Sequence, residues 1–230
     1  LREPYFDIQI AGWLIDPDKK DVSPENLTRR FLKKEFAPDA SEHFFQLLYL
    51  FLDRRINELG LQHVWADIEK PLIPVLADME SFGININLLK LAELKTALTK
   101  ELALLKNEIH EIAGEKFNLN SPKQLSEILF GKILTDVKKT KTTKTGQKST
   151  SEEVLKELVP SHPIIQKIIE YRESFKVLMT YVEPLFESGS SGKVHTNFLQ
   201  TGTATGRLSS EKPNLQNIPR KGDVRPCFIP

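Results

Sequence analysis

The chain is predicted to be mainly α-helical, with a small mixed α+β part towards its C-terminal end. Three observations carry this. Apolar residues recur at steps of three and four through most of the first 187 positions. Cap and stop signals bracket those runs. After Ser188-Gly-Ser-Ser-Gly192 the pattern changes to β-branched, aromatic and polar residues in mixture. With 230 residues, 27% charged and 40% hydrophobic, the chain can bury a sizeable core without disulfides, and wholesale disorder is excluded. Cys227 is the single cysteine, and no apolar run approaches the roughly 18 residues of a membrane span. A cytosolic location is expected.

Taken in order, the first 68 residues are helical by periodicity, above all through Phe44, Phe45, Leu47, Leu48, Phe51, Leu52 and Ile56. Pro71 and Pro74 are expected to mark the start of the next unit. Asn87 is the N-cap of a helix with Leu91, Leu94, Leu98, Leu102, Leu105, Ile109 and Ile112 on one stripe, and Gly114 is its stop. Such a helix runs for about 26 residues, roughly 39 Å. Ser121-Pro-Lys-Gln124 combines a serine cap, proline at the first helical position and glutamine in a capping box. A short helix through Leu125, Ile128 and Leu129 follows, ending at Gly131. Thr150-Ser-Glu-Glu153 starts a second short helix through Val154, Leu155 and Leu158, closed by Pro160. Ile164, Ile165, Ile168, Ile169, Phe175, Leu178 and Val182 then line a long helix from Pro163 to about Glu187. Two long helices flanking two short ones predict an antiparallel pair with a small loop-rich tip. A strand is expected over Val194 to Gln200, including His195, and a turn-rich stretch over Thr201 to Ser210.

Charge is distributed unevenly. Residues 1 to 70 carry 10 basic and 13 acidic side chains, whereas residues 193 to 230 carry 6 and 2. A second basic segment, residues 131 to 150, holds Lys132, Lys138, Lys139, Lys141, Lys144 and Lys148 against Asp136 alone, and its composition is that of a mobile loop. The most informative stretch is Thr203-Ala-Thr-Gly-Arg-Leu-Ser-Ser210 followed by Pro213-Asn-Leu-Gln-Asn-Ile-Pro219. One arginine among small residues, then hydroxyls and carboxamides, are groups that bond phosphate oxygens and minor-groove base edges. On composition alone it is equally a polar turn.

Residue order separates the two readings. The stretch resembles, almost letter for letter, the start of the palm in family A DNA polymerases. Glu111-Ile-Ala-Gly-Glu-Lys-Phe-Asn-Leu-Asn-Ser-Pro-Lys-Gln-Leu125, Ser149-Thr-Ser-Glu-Glu-Val-Leu155 and Glu170-Tyr-Arg-Glu-Ser-Phe-Lys-Val-Leu178 resemble thumb segments of that family, in the same order. Phe6-Asp7 with Leu14-Ile-Asp-Pro17 resembles, over a shorter reach, the 3′–5′ exonuclease fold that precedes the polymerase. The resemblance implies three parts: residues 1–68 from the end of a degenerate exonuclease-like domain, 69–192 as the thumb, and 193–230 as the start of a palm.

It also implies roles. Arg207 would reach the minor groove at the primer terminus, and Asn214, Gln216 and Asn217 would contact the primer-template. Arg172 and Lys176, four apart on one helix face, would hold the DNA backbone, as would Asn118 and Ser121; a solvated basic face and a simple helix cap are the competing readings. Lys138, Lys139, Lys141 and Lys144 would grip duplex phosphates electrostatically. Asp7 alone matches an exonuclease acid. The palm carboxylates that hold Mg²⁺ for two-metal nucleotidyl transfer, and the helix that grips the incoming dNTP, lie in motifs expected beyond Pro230. Both ends therefore read as cut. The chain is expected to bind duplex primer-template DNA as a monomer in the bacterial nucleoid, holding no cofactor and performing no catalysis, while a parent polymerase uses Mg²⁺ and dNTP. The alternative is a naturally short, non-catalytic DNA-binding protein derived from a polymerase thumb. The five histidines show no metal-ligand spacing, and Gly189-Ser-Ser-Gly-Lys193 is too short for a phosphate loop.

Overall fold

The computed structural model describes residues 6–135, 137, 141–142, 146–189, 191–219 and 222–229. It divides into two compact units, one formed by Leu1–Asn85 and Lys193–Ile218, the other by Ile86–Gly192 and Pro219–Ile229. The architecture is mainly helical, as the periodicity predicts, with two small antiparallel sheets among the described residues.

In the first unit, helix α1 (Ile8–Ile15) starts at Asp7, whose Oδ1 accepts the N–H groups of Gln9 and Ile10 at 2.9 and 3.0 Å. Helix α2 (Ser41–Glu58) turns Phe44, Leu48, Leu52 and Ile56 inward. The last three join Ile10, Ala11, Leu27 and Trp65 in one core. Burial of each of the leucines and isoleucines among them contributes about 1.5–3 kcal/mol. Phe45, one position off this face, is 40% exposed. Pro71 and Pro74 lie inside helix α3 (Lys70–Phe82), which continues from a wider π-turn at Trp65–Glu69. Each proline lacks the N–H that would donate to the turn before it, and the wider π-turn lies immediately ahead of Pro71.

Strand β1 (Ile84–Asn85) pairs with β2 (Lys193–Val194), Ile84 facing Val194. Strand β3 (Asn197–Leu199) pairs with β4 (Ser209–Glu211), Phe198 facing Ser210. The single strand expected over Val194 to Gln200 is thus two short strands in different sheets. The break falls at His195-Thr196, where the buried Thr196 hydroxyl lies within 3.0 Å of the Glu211 and Pro213 carbonyl oxygens. His195 belongs to that connection rather than to a strand, with Nδ1 2.7 Å from the Glu80 carbonyl oxygen. Ser209 and Ser210, expected in a turn, are strand residues.

In the second unit, helix α4 (Leu88–Ala113) is 26 residues long, capped by Asn87 Oδ1 accepting the Lys90 N–H and ended by Gly114 at φ 73°. Helix α5 (Pro122–Ile128) and helix α6 (Glu152–Leu158) are the two short helices. Helix α7 (Pro163–Val177) runs through a π-turn at Leu178–Val182 into α8 (Glu183–Ser188). Cross-links Lys167 to Glu108, Ser174 to Glu101 and Lys95 to Glu183 descend one helix as they ascend the other, so the long pair is antiparallel.

Two local expectations are corrected. Ser121 Oγ accepts the Gln124 N–H at 3.4 Å, but Gln124 Oε1 takes the Asn118 N–H at 2.7 Å instead of returning to Ser121, so no reciprocal box forms. Gly131 does not stop α5; it lies inside a π-turn, Leu129–Ile133, and is not among the residues with positive φ. Among the described residues no helix is long and apolar enough to cross a membrane.

Candidate nucleic-acid interface

In the first unit the candidate residues converge on the β3–β4 hairpin and the turn after it. Gly202 packs closely against β4: a Cβ there would lie 1.9 Å from Ser209 Oγ, so that hydroxyl would have to turn away. Gly206 adopts φ 75° and turns the chain just before Arg207. The Thr203 hydroxyl donates to the Arg207 carbonyl oxygen at 2.8 Å, fixing the backbone that carries the arginine. The Arg207 side chain is exposed, and its guanidinium forms no hydrogen bond or ion pair with the described residues. Among the described residues, nothing takes up its five donors.

Downstream, Ser210 Oγ accepts the Leu215 N–H at 3.0 Å, and Asn214 Oδ1 accepts the Gln216 N–H at 3.0 Å in an Asx turn. Gln216 Nε2 donates to the Leu208 carbonyl oxygen at 2.7 Å, tying this turn to the residue beside Arg207. Ile218 is buried while Asn214, Gln216 and Asn217 are exposed. Both carboxamides with internal bonds keep polar atoms for a ligand.

In the second unit, Asn118 and Ser121 meet at the start of α5. Asn118 Oδ1 accepts the Asn120 N–H at 2.9 Å. Beside them opens a cleft of about 680 Å³ lined by Lys106, Asn107, His110, Lys116, Asn118 and Asn120 among others. Its lysines escaped the sequence reading because Lys106 and Lys116 are ten residues apart and only the turn after Gly114 brings them to one cleft. Arg172 and Lys176 differ more than their spacing suggests. Arg172 is half-buried and donates to the Thr150 carbonyl and hydroxyl oxygens. Burial lowers its pKa from the ordinary value, yet a guanidinium stays charged at neutral pH. Lys176 is exposed on α7. Arg172 therefore ties α7 to the start of α6, with only part of its donor set left for a ligand.

Of the lysine tip, Lys138, Lys139 and Lys144 lie outside the described residues. Lys141 Nζ is 2.8 Å from Glu153 Oε1, a hydrogen bond that raises the lysine pKa and lowers that of the carboxyl. The pair is exposed and therefore weak. Lys148 Nζ donates to the Val137 carbonyl oxygen, and Lys132 pairs with Glu115. Asp7, the single exonuclease-like acid, serves as the α1 cap. Among the described residues no group of three or more His, Cys, Asp or Glu side chains could hold a metal ion.

The family model for DNA polymerase family A matches residues 89–230. The chain belongs to DNA polymerase family A. Similar proteins include the DNA polymerase I of Caldicellulosiruptor bescii, 41% identical over 97% of this chain, and that of Geobacillus stearothermophilus, 44% identical over all of it. The thermostable DNA polymerase I of Thermus aquaticus is 40% identical over 94% of the chain. This family A chain spans 27%, 29% and 26% of those three proteins' own lengths. Among solved structures it is similar to the POL domain of Pol1 from M. smegmatis in complex with DNA primer-template and dNTP. The TM-score is 0.89 at 31% identity, covering 97% of this chain and 41% of that one.

Proposed function

We propose that this chain is the duplex-gripping portion of a DNA-directed DNA polymerase of family A, with residues 1–68, 69–192 and 193–230 as exonuclease-like remnant, thumb and start of the palm. The observation that carries the reading is Arg207: an exposed guanidinium without a partner among the described residues, on a backbone fixed by Thr203, in a family A motif. Minor-groove acceptors are present on every correct base pair, so an arginine there holds a primer terminus without reading sequence. Asn214, Gln216 and Asn217 add neutral contacts to the same DNA. Asn118, Ser121, Lys176, the free donors of Arg172 and the lysine tip bind phosphates.

The whole polymerase would extend a primer on a DNA template with dNTP and Mg²⁺. The described residues do not fit the metal ions, so no step of nucleotidyl transfer is assigned to them. The 230-residue chain itself acts as a monomeric DNA-binding unit. The similar POL domain of Pol1 from M. smegmatis is in complex with DNA primer-template and dNTP, which supports this partner class.

A salt titration tests the electrostatic share. Replacing Lys138, Lys139, Lys141 and Lys144 together by Ala flattens the slope of log K against log[salt] by about 3, at about 0.9 per phosphate neutralised. The value falls short of four contacts because Lys141 must first leave Glu153. An unchanged slope, measured by fluorescence anisotropy on a labelled primer-template, would show that the tip is only solvated.

A further inference from the structure

We infer that Trp13 is a positioning residue for Arg207: its indole N–H, acting through Thr203, holds the loop that presents the guanidinium to a primer terminus. The inference rests on the reading of Arg207 given above.

Trp13 lies on α1, is 4% exposed, and donates from Nε1 to the Thr203 carbonyl oxygen at 2.9 Å across 190 positions of sequence. Thr203 in turn donates its hydroxyl to the Arg207 carbonyl oxygen at 2.8 Å. The two bonds form a short relay from a buried aromatic to the backbone of the exposed arginine. The loop needs such support, since strand pairing stops at Leu199 and Ser209 and two glycines lie between. Glycine leaves a backbone with more freedom to lose on ordering.

The β3 end of the loop is held by a second segment of chain. Gln200 Nε2 donates to the Glu69 carbonyl oxygen and to Glu69 Oε2, at 3.0 and 2.8 Å, with both residues buried. Phe198 N–H donates to Glu80 Oε1. Glu69 and Glu80 are eleven residues apart, about three helical turns, so they present to β3 from one face of the run that forms α3. Trp13, from the segment read as an exonuclease remnant, and Glu69 and Glu80, from the start of the segment read as the thumb, thus supply three side chains that fix the hairpin. Phenylalanine at position 13 would fill most of the same space but leave the Thr203 carbonyl without its donor.

A tryptophan that only filled the core would affect binding whatever stood at 207. A positioning tryptophan matters only while Arg207 is present, and a double-mutant cycle separates the two. The 230-residue chain is titrated with a fluorescent primer-template carrying a recessed 3′ end, as wild type, Trp13→Phe and Thr203→Val, each with and without Arg207→Ala. With Arg207 present, each single change is expected to raise Kd about three- to tenfold, the size of one neutral hydrogen bond. In the Arg207→Ala background the further change is expected to stay under about twofold. Equal losses in both backgrounds, or none in either, overturn the inference. If Arg207→Ala alone leaves Kd unchanged, the groove reading itself has failed and this inference falls with it. Should Trp13→Phe fail to fold, Thr203→Val, which leaves the core intact, decides by the same comparison.

Discussion

Arg207→Lys, made in a complete family A polymerase that carries these 230 residues in place of its own, is expected to slow extension from a matched primer terminus by about a hundredfold. Net charge is unchanged, so simple electrostatic attraction predicts almost no effect. The lysine lacks the planar fork of donors that can span two acceptors on adjacent base edges. Binding alone should lose on the order of 1 kcal/mol, the worth of one charge-assisted hydrogen bond. The rate loses more, because a primer hydroxyl misplaced by about 1 Å costs roughly a hundredfold. The exposed guanidinium, unpartnered among the described residues and carried on a tethered backbone, is what makes this geometry available. The measurement is single-turnover extension on matched and mismatched termini for wild type, Arg207→Lys and Arg207→Ala. If lysine equals arginine in rate and in mismatch discrimination, Arg207 is a phosphate-facing charge and the groove assignment is wrong.

The second large effect is on stability. Ile168 is fully buried on α7, next to Ile164 and Ile165, which are equally buried. Ile168→Ala removes its apolar atoms and leaves a cavity that a paired-helix core cannot close without moving both helices, at about 2–5 kcal/mol. Leu104→Ala, on the α4 surface where the side chain is 64% exposed, should change stability by less than about 0.5 kcal/mol. In urea unfolding followed by circular dichroism, the Ile168→Ala midpoint is expected to fall while the Leu104→Ala midpoint stays near wild type. Equal midpoints would mean that the α4–α7 packing does not govern the stability of that unit.

Helices were legible wherever caps, stops and a 3.6-residue stripe agreed, as they do for α4 from Asn87 to Gly114. The failures have physical causes. Val194 to Gln200 has a strand's composition, but composition cannot show that Thr196 turns its hydroxyl to the carbonyls of Glu211 and Pro213, at and just beyond the end of β4, and so divides the run between two sheets. Gly131 has the look of a stop, yet a wider helical turn absorbs it without positive φ. Gln124 is placed for a capping box, and a nearer demand, the Asn118 N–H, claims it.

The candidate site was legible as a motif but not as an arrangement. Arg207 is conspicuous in Thr203 to Ser210 by its residue type. Trp13, Glu69 and Glu80, which hold the hairpin around it, are 190, 131 and 118 residues from their partners, and no local signal announces them. Arg172 shows the opposite case, a basic residue whose spacing suggests a ligand contact and whose donors are partly spent on Thr150.

The most direct test of the central claim is a single titration of the purified 230-residue chain on a labelled primer-template, followed by addition of dNTP with Mg²⁺ in the same cuvette. The account predicts saturable binding that weakens steeply with salt, is reduced by Arg207→Ala, and is followed by no lengthening of the primer. Binding indifferent to Arg207, or template-directed extension by the chain alone, would contradict it.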